Sequence, residues 1–153
     1  EHVLNRAQVY ANNTNLVSGD QMWIVVAVDR WPDEQLSVLA QECYSRGWNL
    51  AVSNPCFEVW LCYHMETDIP DENKERESAF FKSHLSTLTI EGYSPDVYAP
   101  LAFVAAENAR AKDLDPMLRI PPYKVTHVYR LMDELQQYTS KQEIELFVNG
   151  CKK

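Results

Sequence analysis

Polar side chains follow two apolar segments of this chain at the points where the segments end. Residues 22–28 are a short run rich in Val and Ile that stops at Asp29, and residues 48–52 form a second run that stops at Ser53 and Asn54. Such runs are typical of buried strands in a parallel sheet, whose carboxyl ends form the usual ligand-binding edge. Asp29 therefore lies where a metal-binding or catalytic carboxylate is expected.

Each of these residues also has a structural interpretation. Asp29 precedes a segment that begins as a helix, so its carboxylate could cap that helix. Ser53 and Asn54 could likewise cap the helix predicted after Pro55, whose first turn would hold Glu58 near the positive end of the helix dipole. Alternatively, Glu58 lies among apolar neighbours and needs a cation, a metal or hydrogen-bond donors, because an unpaired buried carboxylate is unfavourable.

His64 lies farther along the same apolar segment, and a single histidine in such a setting is usually a core or edge residue. Other common chemistries lack their motifs. No serine has a Gly-x-Ser-x-Gly context, and the 4 glycines are too scattered to form a phosphate-binding loop. The 4 cysteines have no zinc spacing, and three of them sit among apolar residues, as in a reducing cytoplasm.

The charge of the chain limits the partners it can have. It contains 14 basic and 22 acidic residues among 153, a net charge of −8. This argues against the broad basic surface of a tight nucleic-acid binder and suits docking on a basic partner, or solubility alone. Five basic residues of the carboxyl-terminal half could contact a phosphate backbone or form solvated helix faces: Arg110, Lys112, Arg119, Lys124 and Arg130.

The elements that would position the polar residues follow from the order of apolar and helix-breaking residues. After the strand at 22–28, Pro32 begins a helix, Gly47 ends it, and the strand at 48–52 follows. Strand, helix and strand in about thirty residues predict a βαβ unit.

The rest of the chain is predicted to be mainly helical. The sequence shows neither a signal peptide nor a long apolar span, and this absence favours a cytoplasmic protein without membrane contact. The predicted features between the βαβ unit and residue 114 are a short buried helix to about 65, an exposed loop at 67–77, a helix over 79–88, a turn at 92–95 and an alanine-rich helix at 97–114. A loose helix is predicted at 1–14, and a helix capped by Thr126 follows the alanine-rich one. Residues 141–153 either form a last amphipathic segment or fray.

Several strings in this order resemble the RloB family. One is Trp-Ile-Val-Val-Ala-Val-Asp-Arg-Trp at 23–31, and the most specific is Ser-Asn-Pro-Cys-Phe-Glu-Val-Trp-Leu at 53–61, followed by His64. Ala-Ala-Glu-Asn-Ala at 105–109 and Thr-His-Val-Tyr-Arg-Leu at 126–131 resemble two further helices of the family. The resemblance extends from about residue 20 to residue 138.

The resemblance implies an α/β, Toprim-like fold with a small, mostly parallel sheet, flanking helices and a helical carboxyl-terminal part. It implies one domain over 1–153, with a βαβ core at 20–66 and a helical part at 73–138. RloB proteins are similar to Toprim nucleases and are associated with bacterial anti-phage and restriction-linked loci, often beside an ABC- or AAA-like ATPase. The implied partners are such an ATPase and a DNA or RNA substrate, with self-association as a further option.

The resemblance also implies a metal site. Toprim sites hold Mg²⁺ or Mn²⁺ with a Glu on the first strand and an Asp-x-Asp pair on a later strand. Asp29 matches the second acid of that pair and is the implied metal ligand and catalytic residue, together with Glu58. The residues that would support this site are Ser53, Asn54, His64 and Arg30.

This chain departs from that pattern in two places. The first Asp of the pair falls on Ala27, which cannot bind a metal, and the first-strand Glu has no counterpart, as expected if an amino-terminal segment is absent. Either the site is lost, or the residue was changed to disarm a toxic nuclease, or the pair is Asp29 with Asp33. The resemblance therefore implies a magnesium-dependent nuclease subunit of a bacterial anti-phage system, but for this chain we expect weak metal binding and weak or no cleavage. The alternative function is a non-catalytic Toprim-like module that binds an ATPase or nucleic acid.

Overall fold

The structure of the chain is a computed structural model that describes residues 2–70, 78–89 and 93–151. Within these ranges the two strands, β1 (Trp23–Ala27) and β2 (Asn49–Ser53), form a small parallel sheet. The helices are α1 (His2–Asn13), α2 (Asp33–Arg46), α3 (Glu58–Cys62), α4 (Ser78–Leu88), α5 (Pro95–Tyr98), α6 (Ala102–Lys112), α7 (Val128–Tyr138) and α8 (Lys141–Cys151). The predicted α/β class, with flanking helices and a helical carboxyl-terminal part, is confirmed.

The βαβ unit forms because α2 buries one apolar stripe against the two strands. Leu36, Leu39 and Cys43 recur at helical spacing, and all three are buried in one cluster with Val26 and Val52 of the strands. The helix ends where predicted, at Gly47, whose φ of 67° lies in the left-handed region.

The prediction that residues 22–28 form a buried strand is wrong in two respects: the strand ends earlier, and its outer face is exposed. Ile24 and Val26 are buried, but Val25 between them is 42% exposed, because successive side chains of a strand point to opposite faces. Regular pairing ends at Ala27, and the chain then turns through a short 3₁₀ segment, Val28–Arg30. This turn moves Asp29 out of line with the strand.

The prediction of one alanine-rich helix over 97–114 is wrong, because the segment is divided into shorter elements. The helical segment begins at Pro95, passes through a 3₁₀ turn at Ala99–Leu101 and continues as α6. Pro100 explains the break, because proline lacks an N–H group and its ring clashes with the preceding helical turn. Within α6, the buried alanines allow close packing in the core beside α3 and α7: Ala105, Ala106 and Ala109.

The carboxyl-terminal part closes the other side of β2. Ser53 forms an isolated antiparallel bridge with Thr126, and the His127 N–H donates to the Val52 carbonyl at 2.8 Å. The predicted Thr126 cap is displaced by one residue, because His127 occupies the cap position of α7 while the Thr126 hydroxyl accepts from the Val128 N–H at 3.3 Å. Over the described residues, the helical predictions at 1–14 and 141–153 are confirmed by α1 (His2–Asn13) and α8 (Lys141–Cys151).

Two predicted surface segments fall partly outside the described residues. These are the loop at 67–77, of which 71–77 is not described, and the turn at 92–95, of which 92 is not described. The helices of the described ranges are all too short or too polar to cross a lipid bilayer.

Candidate functional site

The carboxyl ends of the two strands lie side by side, as the sequence predicts. Ala27 is opposite Ser53 in the parallel register, and beyond the strands the Asp29 N–H donates to the Pro55 carbonyl at 2.8 Å. The segments that follow β1 and β2 are thereby held together at one edge of the sheet. Asn54 precedes Pro55 through a cis peptide bond.

Asp29 presents its carboxylate at this edge but does not cap α2. The residue is exposed, and its Oδ2 accepts a hydrogen bond of 2.6 Å from the Ser78 hydroxyl at the start of α4. The cap position of α2 belongs to Pro32 and has no side-chain hydrogen bond, so the helix-capping interpretation of Asp29 is wrong. The neighbouring Arg30 is also exposed and forms no ion pair with any described carboxylate.

Glu58 and Ser78 both flank the buried thiol of Cys56. Burial is the main reason why the pKa of Cys56 is raised to about 12, and the adjacent Glu58 carboxylate raises it further. Hydrogen bonding with Ser78 opposes that rise only weakly. Ser78 thus connects Asp29 with the Cys56–Glu58 pair, and these four residues are called the carboxyl-edge cluster below. The raised pKa keeps the Cys56 thiol protonated at neutral pH.

Ser53 and Asn54 are bound to the carboxyl-terminal connector instead of to the carboxyl-edge cluster. The buried Ser53 Oγ lies 2.7 Å from Thr126 Oγ1, and Asn54 Nδ2 donates to the Pro121 carbonyl at 2.8 Å. The prediction that they cap the following helix is wrong, because Phe57 occupies the cap position of α3 and no side chain hydrogen-bonds there. Both residues therefore fix the end of β2 to residues 121–126.

His64 is a core residue in an aromatic setting. Its Nδ1 lies 3.0 Å from the Trp60 carbonyl, and its ring contacts the rings of Trp60 and Tyr98 at centroid distances of 4.8 and 5.3 Å. Burial lowers the pKa of His64 below its usual value, so the ring is neutral at physiological pH. These contacts assign His64 a packing role; support of chemistry at Asp29 stays a prediction.

The five basic residues do not form a free cationic face. Four of them donate to oxygen atoms of the chain itself: Arg110 to Asp133, Lys112 to Asp68, Arg130 to Asp113 and Lys124 to the Ile69 carbonyl. Arg119 differs, because its guanidinium donates to the Gln41 amide and lies over the Tyr44 ring, with no described carboxylate in ion-pair range.

A second polar cluster, which no sequence motif indicated, is buried between α6 and α7. The Asp113 carboxylate accepts from the Tyr129 hydroxyl at 2.6 Å and from Arg130 at 3.3 Å, and His127 Nε2 lies 3.5 Å away. His127 is fully buried, and neither ring nitrogen has a hydrogen-bond partner among the described residues. Burial and the nearby Arg130 charge lower the pKa of His127 to about 4, while Asp113 opposes the change. The ring is therefore neutral at pH 7.

The described residues of the carboxyl edge do not amount to a Mg²⁺ site. Mg²⁺ prefers several hard oxygen ligands in near-octahedral geometry, but Ala27 supplies none, and the carboxyl-edge cluster offers only the carboxylates of Asp29 and Glu58. Across the described ranges, no group of three or more His, Cys, Asp or Glu side chains is placed to hold a metal ion.

Comparison with known proteins gives one match. The family model described as RloB-like protein matches residues 1–135. The chain belongs to the RloB-like protein family. No curated protein and no solved structure matches it. The family match includes the strings at 23–31 and 53–61, so the residues of the carboxyl edge are those of an RloB-like protein.

Proposed function

We propose that this RloB-like chain is a Toprim-like component of a bacterial anti-phage or restriction-linked system, and that it binds a partner without cleaving nucleic acid. The observation that carries the proposal is the end of β1. Ala27 stands opposite Ser53 at the position where the resemblance expects an acid, and Ser53 is already hydrogen-bonded to Thr126. Asp29 is exposed and held by Ser78, and Glu58 is the one other carboxylate of the carboxyl-edge cluster.

The charge distribution supports a protein partner with a basic surface. The net charge is −8, and four of the five basic residues that could have formed a phosphate-binding face are bound to oxygen atoms of the chain. An ABC- or AAA-like ATPase is the partner that the family resemblance implies. A complex formed by such charge complementarity is expected to weaken as ionic strength rises, because salt screens exposed charges beyond about 10 Å at 0.1 M.

A magnesium-dependent nuclease is the second candidate function. Its support is the exposed position of Asp29 after a parallel strand, which is where α/β proteins place reactive groups. Glu58, half-buried at the start of α3, would be its second acid. This candidate requires oxygen ligands in addition to the carboxylates of Asp29 and Glu58.

A cleavage assay separates the two candidates. The unmodified chain, Ala27→Asp and the uncharged control Ala27→Asn are incubated with single- and double-stranded DNA and with RNA, with Mg²⁺ or Mn²⁺. We expect no cleavage by the unmodified chain or by Ala27→Asn. Metal-dependent cleavage by the unmodified chain that is abolished in Asp29→Asn would refute the binding-module proposal and establish the nuclease.

A further inference from the structure

A cavity of about 250 Å³ lies at the amino edge of the sheet, at the opposite ends of the strands from Asp29. Trp23 and Asn49, the first residues of β1 and β2, form part of its wall. The carboxyl-terminal half of α2 contributes Tyr44, and the loop after it contributes Trp48. Neither the family match nor the proposed function assigns anything to this cavity.

The wall of the cavity combines aromatic rings with guanidinium groups. Arg119 and Arg130 line it together with the three rings, and no lining residue is acidic. That composition is notable in a chain of net charge −8. The Arg119 guanidinium lies 5.4 Å from the centre of the Tyr44 ring, which is 73% exposed.

The two arginines differ in how much of their charge is available to a ligand. Arg130 donates to the buried Asp113 carboxylate and to the Pro116 carbonyl at 2.7 Å, so its position is fixed and its charge is balanced. Arg119 is exposed and donates only to the neutral Gln41 amide among the described residues. An anion at this cavity would therefore meet Arg119 first, and a guanidinium binds phosphate well because two of its N–H groups can donate in parallel.

Flat aromatic rings beside an available guanidinium are suited to a ligand that is both planar and anionic. Aromatic side chains stack on nucleobases with little regard to sequence, and arginine pairs with the attached phosphate. The Asn49 amide adds a hydrogen-bonding group at the same wall, where its Nδ2 donates to the side-chain Oε1 of Gln21 at 3.4 Å.

We propose that this amino-edge cavity binds a nucleotide, with the base stacked on the exposed Tyr44 ring and a phosphate on Arg119. The same chemistry could come from a free mononucleotide or from one nucleotide of a single strand. The site is independent of the proposed function, because it lies a strand length away from Asp29 and requires no metal there. It also needs no glycine-rich phosphate loop.

The proposal is tested by titrating the full 153-residue chain and following tryptophan fluorescence, with calorimetry as a second readout. The probes are AMP, adenosine, inorganic phosphate and a short single-stranded oligoadenylate. We expect AMP to bind at least tenfold more tightly than adenosine or inorganic phosphate, because it alone among the three supplies both ring and anion. Tighter binding of the oligoadenylate than of AMP would identify a nucleic-acid strand as the source of the nucleotide.

Variants of exposed residues assign the contacts. Arg119→Gln and Tyr44→Ala should each weaken AMP binding about tenfold or more, whereas Tyr44→Phe should bind like the unmodified chain. The matched control is Arg110→Gln, which removes an equal charge from an arginine paired with Asp133 outside the cavity. Circular dichroism confirms that each variant is folded. Absence of binding by AMP and oligoadenylate, equal binding of inorganic phosphate and AMP, or an equal loss in Arg110→Gln would overturn the proposal.

Discussion

Protonation of His127 is expected to destabilise the folded chain in mild acid. Its imidazole is fully buried without hydrogen-bond partners for either nitrogen among the described residues, and its folded pKa is about 4, compared with an ordinary histidine pKa of 6.5. A base with a lowered folded pKa contributes stability that is complete above about pH 6.5 and is lost as the pH falls toward about 4.

The magnitude follows from these two pKa values. Because His127 binds its proton more tightly in the unfolded chain, it alone should make the free energy of unfolding about 2 kcal/mol smaller at about pH 5 than at about pH 7.5. His64 acts in the same direction, since burial lowers its pKa too. The contribution of His127 is therefore obtained as a difference between the unmodified chain and His127→Gln, which cannot gain a proton in this range.

The assay is urea unfolding followed by circular dichroism at several pH values between about 5 and 7.5. His127→Gln is expected to be less stable at neutral pH but to have a shallower dependence of unfolding free energy on pH, by about 2 kcal/mol over that range. The matched control is His84→Gln, which removes a partly buried histidine paired with Glu66. An unchanged pH dependence in His127→Gln, or an NMR titration of His127 near pH 6.5, would refute the reasoning.

Two further predictions concern local structure. Ser53→Ala leaves the buried Thr126 hydroxyl without its 2.7 Å partner and should lower the free energy of unfolding by about 1–3 kcal/mol in urea titrations; a change within error would contradict the hydrogen bond. Gly47→Ala should lower the free energy of unfolding by about 1 kcal/mol in the same titrations, because φ is 67° at this position. Crowding is not the reason, since nothing lies within 4 Å of the added Cβ. Its control, Gly150→Ala in α8, has open space and no left-handed backbone, so it should be neutral or stabilising; equal losses in both variants would contradict the conformational explanation.

The βαβ unit was predictable because its signals are local. Leu36, Leu39 and Cys43 repeat at helical spacing, and Gly47 marks the end of the helix through its own backbone preference. The strand ends could be assigned to one edge for the same reason, since two parallel strands joined by one helix must end on the same side.

What the sequence did not predict depends on contacts between distant residues. Ser78 reaches Asp29 across 49 positions, and His127 meets Asp113 across a connector without regular structure. The exposure of Val25 depends on which elements cover the outer face of β1, and hydrophobicity of the strand alone does not reveal that. Pro100 is a local signal that could have shown the break before α6, because proline can end a helix as well as begin one.

Ala27 is expected to leave the described residues of the carboxyl edge unable to hold a divalent metal. The most direct test is an electron paramagnetic resonance titration of free Mn²⁺ with the unmodified chain, Ala27→Asp and Ala27→Asn. We expect the unmodified chain and Ala27→Asn to bind Mn²⁺ equally weakly, and Ala27→Asp to bind it at least tenfold more tightly together with Asp29. Tight binding by the unmodified chain that is lost in Asp29→Asn would contradict the claim and restore the metal-dependent nuclease.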